Sequence, residues 1–218
     1  MLEIVTKFRN FIKEDHEESF MVFSGIGKVF LSCPHTVAQL RNGFIKSAEP
    51  ETGIIALTLN EIYKYPAIIK TSNKDDDANY DEVSPYKDEC VKQINDYGYK
   101  CLLDLHLLNS SRPMDINIGT RGGQNINDKE ILDDVVNVFL KHGFTSVTVD
   151  KPFGAFNPNT MSSYINKKTG IDTLQIEINS KLVYDRKSLD YKNTKIVKII
   201  EAFSEIIAYL NSYYEKQE

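Results

Sequence analysis

Along the chain, short unbroken apolar runs alternate with stretches in which apolar residues recur every three or four positions, as expected for buried strands alternating with amphipathic helices. The runs at 19–23, 28–33, 66–71, 102–106, 145–149 and 174–179 predict strands, and Ile116 with Ile118 predicts a short one. Helical spacing covers 2–15, 54–63, 85–98, 128–142 and 193–214, and a short helix is read over 37–45. The glycine-containing turn between 19–23 and 28–33 predicts that these two runs pair as a hairpin. Residues 151–164, rich in Pro, Gly, Asn and Ser, read as a long loop that forms a lid or a substrate wall. In the last helix, Ile196, Ile199, Ile200, Phe203, Ile206, Ile207 and Leu210 form one apolar stripe. Its first reading is core packing; a homodimer surface is the second.

The alternation predicts an α/β fold with strands buried on both faces in the middle of the sheet. Leu102-Leu103-Asp104-Leu105-His106 is the clearest central strand, and it delivers an acid and a histidine toward its carboxyl end, where open α/β sheets build their sites. Its plainest reading is structural, because a lone histidine is more often a satisfied structural group. Other ligand-type residues at strand ends change that picture. His35 follows the strand 28–33, Glu49 and Glu51 stand at the start of a helix, and Glu177 alternates with Leu174, Ile176 and Ile178 so that it faces away from their apolar layer.

The chain has 218 residues, 41% hydrophobic and 26% charged. These values fit one soluble domain spanning 1–218, with 1–18 as an N-terminal helix or arm. A net charge of −5 without a basic stripe argues against a nucleic-acid partner. No apolar run reaches the roughly 18 residues that cross a bilayer, and the N-terminus lacks a signal-peptide core, so the cytoplasm is expected and no membrane partner. Three cysteines without CxxC spacing exclude a disulfide framework and a cysteine-rich zinc site. Cys33 beside Pro34-His35 admits a thiol-nucleophile reading, with no base identifiable next to it. The run Asp75-Asp76-Asp77 lacks the alternating ligands of a calcium loop and reads as a solvated loop with one or two residues in the crevice.

Two histidines and one carboxylate are the ligand complement of a catalytic zinc with an open fourth position, and a further glutamate would serve as general base. Asp104 reads as an outer partner that orients a ligand.

Several segments in order resemble the N-formylglutamate amidohydrolase family. They are Ser32-Cys33-Pro34-His35-Thr36, Leu103-Asp104-Leu105-His106, Asp115-Ile116-Asn117-Ile118-Gly119, the loop opening at Pro152-Phe153-Gly154, and Leu174-Gln175-Ile176-Glu177-Ile178-Asn179. The resemblance implies a zinc-peptidase-like (phosphorylase/hydrolase-like) three-layer α/β/α sandwich with a mixed central sheet. It also implies hydrolysis of the amide bond of an N-acyl amino acid or small peptide. Carried over by position, it implies His35, His106 and Glu49 as zinc ligands, with Glu51 the alternate, and Glu177 as general acid/base. The family's Asn-Arg-Asp segment stands here as Asn79-Tyr80-Asp81, so Asn79 remains a substrate contact and Arg112 or Arg121 is left to clamp a substrate carboxylate. The other reading is a catalytically inactive small-molecule-binding or regulatory protein on the same fold.

Overall fold

The computed structural model describes residues 1–185, 190–191 and 193–217. Its centre is a seven-stranded sheet built from β1 (Phe20–Phe23), β2 (Val29–Cys33), β5 (Ala67–Lys70), β6 (Cys101–Leu108), β7 (Ile116–Gly119), β8 (Val147–Val149) and β9 (Asp172–Asn179). Their spatial order is β1-β5-β2-β6-β9-β7-β8. The sheet is mixed. β5, β2, β6 and β9 run parallel, whereas β1 is antiparallel to β5 and β7 antiparallel to β9.

Alternation along the central strands separates the two layers. Leu31 and Cys33, Leu103 and Leu105, and Leu174, Ile176 and Ile178 pack into the larger core under α1 (Leu2–Phe11), α2 (Pro50–Tyr63), α4 (Lys129–Lys141) and α6 (Asn193–Glu215). Phe30 and Leu102 meet α3 (Pro85–Tyr97) and α5 (Met161–Thr169) in a second core on the opposite face. Each fully buried aliphatic side chain contributes roughly 1.5–3 kcal/mol relative to exposure, which is why the most apolar strands are central. The result is an α/β fold, as the pattern predicts, in the three-layer α/β/α form with a mixed sheet that the family resemblance implies. The apolar stripe of α6 is buried in the larger core, which is the core-packing reading.

Three expectations are corrected. Strands β1 and β2 do not form a hairpin, because β5 lies between them and pairs with both. Residues 37–45 are not helical. β3 (Gln39–Arg41) and β4 (Phe44–Lys46) form an antiparallel hairpin, with Asn42 at φ 50 and Gly43 at φ 78. Asn-Gly suits this turn because both residues tolerate positive φ. The loop 151–164 also stops short: its last four residues belong to α5, whose start is capped by the Thr160 side chain. A further short ribbon pairs β10 (Tyr184–Asp185) with β11 (Asp190–Tyr191). Among the described residues, no helix is long and apolar enough to cross a membrane.

Candidate metal centre and cleft

On the face shared by Phe30 and Leu102, the same strands turn polar toward their carboxyl ends. Ser32 lies beside Asp104, Asp104 beside Gln175, and His106 beside Glu177. This polar end is where the chain brings in His35 from the turn after β2 and Glu49 from the N-cap of α2. Two features fix their approach. The Glu49 N–H donates to the His35 carbonyl at 2.7 Å. Gly53, one turn into α2, lets the helix close on that turn, since a Cβ there would stand 2.6 Å from the Thr36 methyl. Pro50 opens the helix with its φ already set.

His35, Glu49 and His106 form a buried group able to offer one ligand atom each to a metal ion. The two Nδ1 atoms are 3.1 Å apart, and Glu49 Oε2 is 3.6 Å from His35 Nδ1 and 3.5 Å from His106 Nδ1. Ligand atoms of a tetrahedral ion with bonds of about 2.0–2.1 Å stand roughly 3.3 Å apart, so the spacing fits such an ion. The proton positions fit it as well. His35 Nε2 is 2.9 Å from Asp77 Oδ1, and His106 Nε2 is 3.0 Å from Asp104 Oδ2. Each carboxylate takes the Nε2–H, which leaves both Nδ1 lone pairs facing one another, as in carboxylate–histidine–metal sites. Two facing lone pairs are tolerable only with a proton or a cation between them. Without a metal that role falls to a proton: although burial opposes it, the Asp104 carboxylate holds the His106 pKa well above its ordinary range.

Glu49 is held on both oxygens. Oε2 accepts from the Leu107 N–H at 2.9 Å, and Oε1 takes the Lys46 ammonium. Burial alone would raise its pKa, but His35 and His106 outweigh burial and hold the carboxyl well below the usual range. Glu51, the alternate, is buried in the first turn of α2 and lies outside the group. Glu177 differs in sign. Burial, reinforced by the negative Glu49 and opposed by the histidines, lifts its pKa to about 7, and Gln175 Nε2 donates to its Oε1 at 3.1 Å.

These groups line a cleft of about 480 Å³ that also receives Arg41, Lys46, Asn79 and residues 152–157. Asn79 reaches it, with its Oδ1 accepting the Met161 N–H at 2.7 Å. Arg112 and Arg121 are not among the lining residues. The Arg112 guanidinium stacks 5.5 Å from the centre of the Phe153 ring. Arg121 sits in a turn at φ 57 and donates its N–H to the Gly154 carbonyl at 2.7 Å. The amides of that Gly-rich turn hold an internal anion: the Asp150 carboxylate accepts from Thr120 N at 2.6 Å, Thr120 Oγ1 at 2.7 Å and Gly122 N at 3.1 Å. The loop after β8 is thereby stitched to β7 as a fixed wall.

Sequence reasoning missed four contributors to the site. Arg41 and Lys46 stand on the β3–β4 hairpin, whose Asn-Gly turn was the available signal. Asp77 was unresolved within its acidic run. There, Asp76 pairs with buried Lys70 at 2.6 Å, and Asp77 accepts from His35 and from Arg41 Nε at 2.8 Å. The alternation of β9 puts Gln175 on the same face as Glu177 but assigns it no role. Cys33 is buried, and burial pushes its thiol pKa up, the opposite of what a thiolate nucleophile needs.

Sequence comparison matches the chain to no family model and to no curated protein. Its fold does match solved structures. Against N-formylglutamate amidohydrolase from Ralstonia eutropha JMP134 the TM-score is 0.60 at 13% identity, over 92% of this chain and 99% of that one. A bacteriophage poly-gamma-glutamate hydrolase gives 0.60 at 14% identity, over 97% and 96%. A metallo-carboxypeptidase from Burkholderia cenocepacia gives 0.57 at 13% identity, over 98% of this chain and 69% of that one. Identities this low carry the architecture alone: the chain has the zinc-peptidase-like α/β/α fold of N-formylglutamate amidohydrolase and the metallo-carboxypeptidase.

Proposed function

We propose that this chain is a zinc-dependent amidohydrolase that cleaves the amide bond of an N-acyl amino acid or small peptide. His35, Glu49 and His106 are the metal ligands in this reading, and Glu177 is the general acid/base. The observation that carries it is the buried convergence of two imidazole Nδ1 atoms and one carboxylate oxygen beside a glutamate of raised pKa. A zinc ion bound there supplies Lewis acidity toward the amide carbonyl and brings the pKa of a water near neutrality.

The remaining chemistry belongs to side chains. As carboxylate, Glu177 takes a proton from the attacking water at Oε1 or Oε2, and it then delivers that proton to the leaving nitrogen. Asp104 and Asp77 hold the two imidazoles by Nε2, so that both Nδ1 atoms stay available. Arg41 and Lys46 are the cationic groups on the cleft wall, placed to meet an anionic group of the substrate; Arg41 is held in its turn by Asp77. The solved hydrolases of the same fold support the reaction class.

The test is release of free amine from N-formyl- and N-acetyl-amino acids by the zinc-loaded protein. Turnover is expected in the wild type, and Glu177→Gln is expected to lower kcat by about 10²–10⁴-fold while keeping its metal. Zinc bound at one per chain with no turnover of any amide would instead favour a binding or regulatory protein on this fold.

A further inference from the structure

The cleft has two unlike sides. One carries the metal-ligand group, Glu177, Arg41 and Lys46. The other is the wall at residues 152–157, where Pro152, Phe153, Ala155 and Phe156 face the cavity. Phe156 is the outlier among them, because the residue is 61% exposed although it belongs to a pinned loop. A single exposed phenylalanine is ordinary on a protein surface. This one stands on a backbone held on both sides: the Gly154 carbonyl accepts from Arg121 N and the Ala155 carbonyl from Ser163 Oγ. One edge of its ring lies against Gly154, so closely that a Cβ there would stand 2.2 Å from Phe156 Cε2. The wall beneath is held by the Phe153 N–H donating to Asn117 Oδ1 at 3.2 Å and by the Asp150 carboxylate. The backbone that carries the ring is therefore held in place, so that contact with a ligand does not require the wall to be ordered first.

We infer that the wall at residues 152–157 is a subsite for an apolar group of the substrate, with Phe156 as the residue that sets the preference. This rests on the amidohydrolase reading of the cleft. The chemistry recognised is an aliphatic or aromatic group attached to the amide. It belongs either to the acyl part or to the side chain of the amino acid.

Binding tested without turnover separates the inference from the reaction. In zinc-loaded Glu177→Gln protein, calorimetry would compare N-hexanoylglycine with N-acetylglycine, and N-acetylphenylalanine with N-acetylglutamate. At least one apolar ligand is expected to bind about tenfold or more tightly than its counterpart, as for methylenes entering a matched pocket. Which pair shows the preference identifies the acyl or the side-chain source. Phe156→Ala is expected to bring that ratio near one, and Phe156→Leu to keep most of it. Equal binding within both pairs, or a preference that survives Phe156→Ala, would overturn the subsite. A wild type that turns over no amide while its Phe156-dependent preference persists would count against the hydrolase reading alone.

Discussion

Two buried carboxylates sit at opposite ends of the sheet, each beside a cavity, and only one of them looks chemical. At the amino end of β9, Asp172 borders a cavity of about 370 Å³. It accepts from Asn127 N at 2.7 Å, Asn127 Nδ2 at 2.9 Å and Tyr214 Oη at 2.7 Å. Each of these three donors is a neutral N–H or O–H whose proton is committed, so among the described residues both oxygens of the carboxylate are already satisfied. At the carboxyl end, Glu49 Oε2 faces two imidazole nitrogens whose partners have already drawn their protons to the far side of each ring. That arrangement asks for a positive charge. A cavity and a buried acid are common to both ends, and the state of the opposing lone pairs separates a structural carboxylate from the proposed ligand.

The comparison can be broken at its outer partners first. Asp104 receives the Ser32 hydroxyl at 3.0 Å and the His106 Nε2–H. Asp104→Asn removes the charge that sets the His106 tautomer and is expected to weaken zinc binding by about 10–100-fold, measured by competition with a chromogenic chelator. Unchanged affinity would mean that Asp104 only packs the strand.

A smaller, purely structural effect is expected at the other end. Asp172→Ala leaves the Asn127 and Tyr214 donors without their acceptor, at a cost of roughly 1–3 kcal/mol in chemical denaturation, with zinc affinity unaltered. Loss of zinc in that variant would erase the distinction between the two ends.

The pH dependence sharpens the contrast further. In the metal-free protein His106 keeps its proton to a pH well above the ordinary imidazole range. Binding a cation must expel that proton. Apparent zinc affinity should therefore rise with pH, by about tenfold per unit while the pH lies below the His106 pKa, with one proton released per ion. Glu177 adds a kinetic limb of the same sign. Burial pushes its carboxyl up to about 7, and the proposed role as base requires the ionised form. Rates rise as pH climbs through its pKa, and a bound dication lowers that value and moves the limb to more acid pH. An affinity profile that levels off above pH ~7.5, as expected of imidazoles that titrate near the ordinary value of about 6.5, would contradict the facing-lone-pair account.

How much of this could be read from the sequence depends on whether the signal was local. His106 and Glu177 were legible because an unbroken apolar run or a strict alternation fixes which strand end a side chain occupies. His35 was legible because it directly follows such a run. The β1–β2 pairing was misread because turn chemistry between two runs says nothing about β5, a strand some forty residues on that inserts between them. The hairpin at Gln39–Lys46 was misread although Asn42-Gly43 announced it, and with it went Arg41 and Lys46. Asp77 was illegible in principle. Three adjacent aspartates are equivalent until tertiary structure sends one to Lys70 and its neighbour to His35.

The most direct measurement is the zinc content of purified, zinc-exchanged protein, taken for the wild type, His106→Ala and Asp172→Ala with circular dichroism as the check on folding. Tight binding of about one ion per chain is predicted for the wild type and Asp172→Ala, as for a three-ligand catalytic site, with that ion lost in folded His106→Ala. A wild type that takes up no zinc, or a His106→Ala variant that keeps it, would contradict the assignment of the His35–Glu49–His106 group as the metal centre.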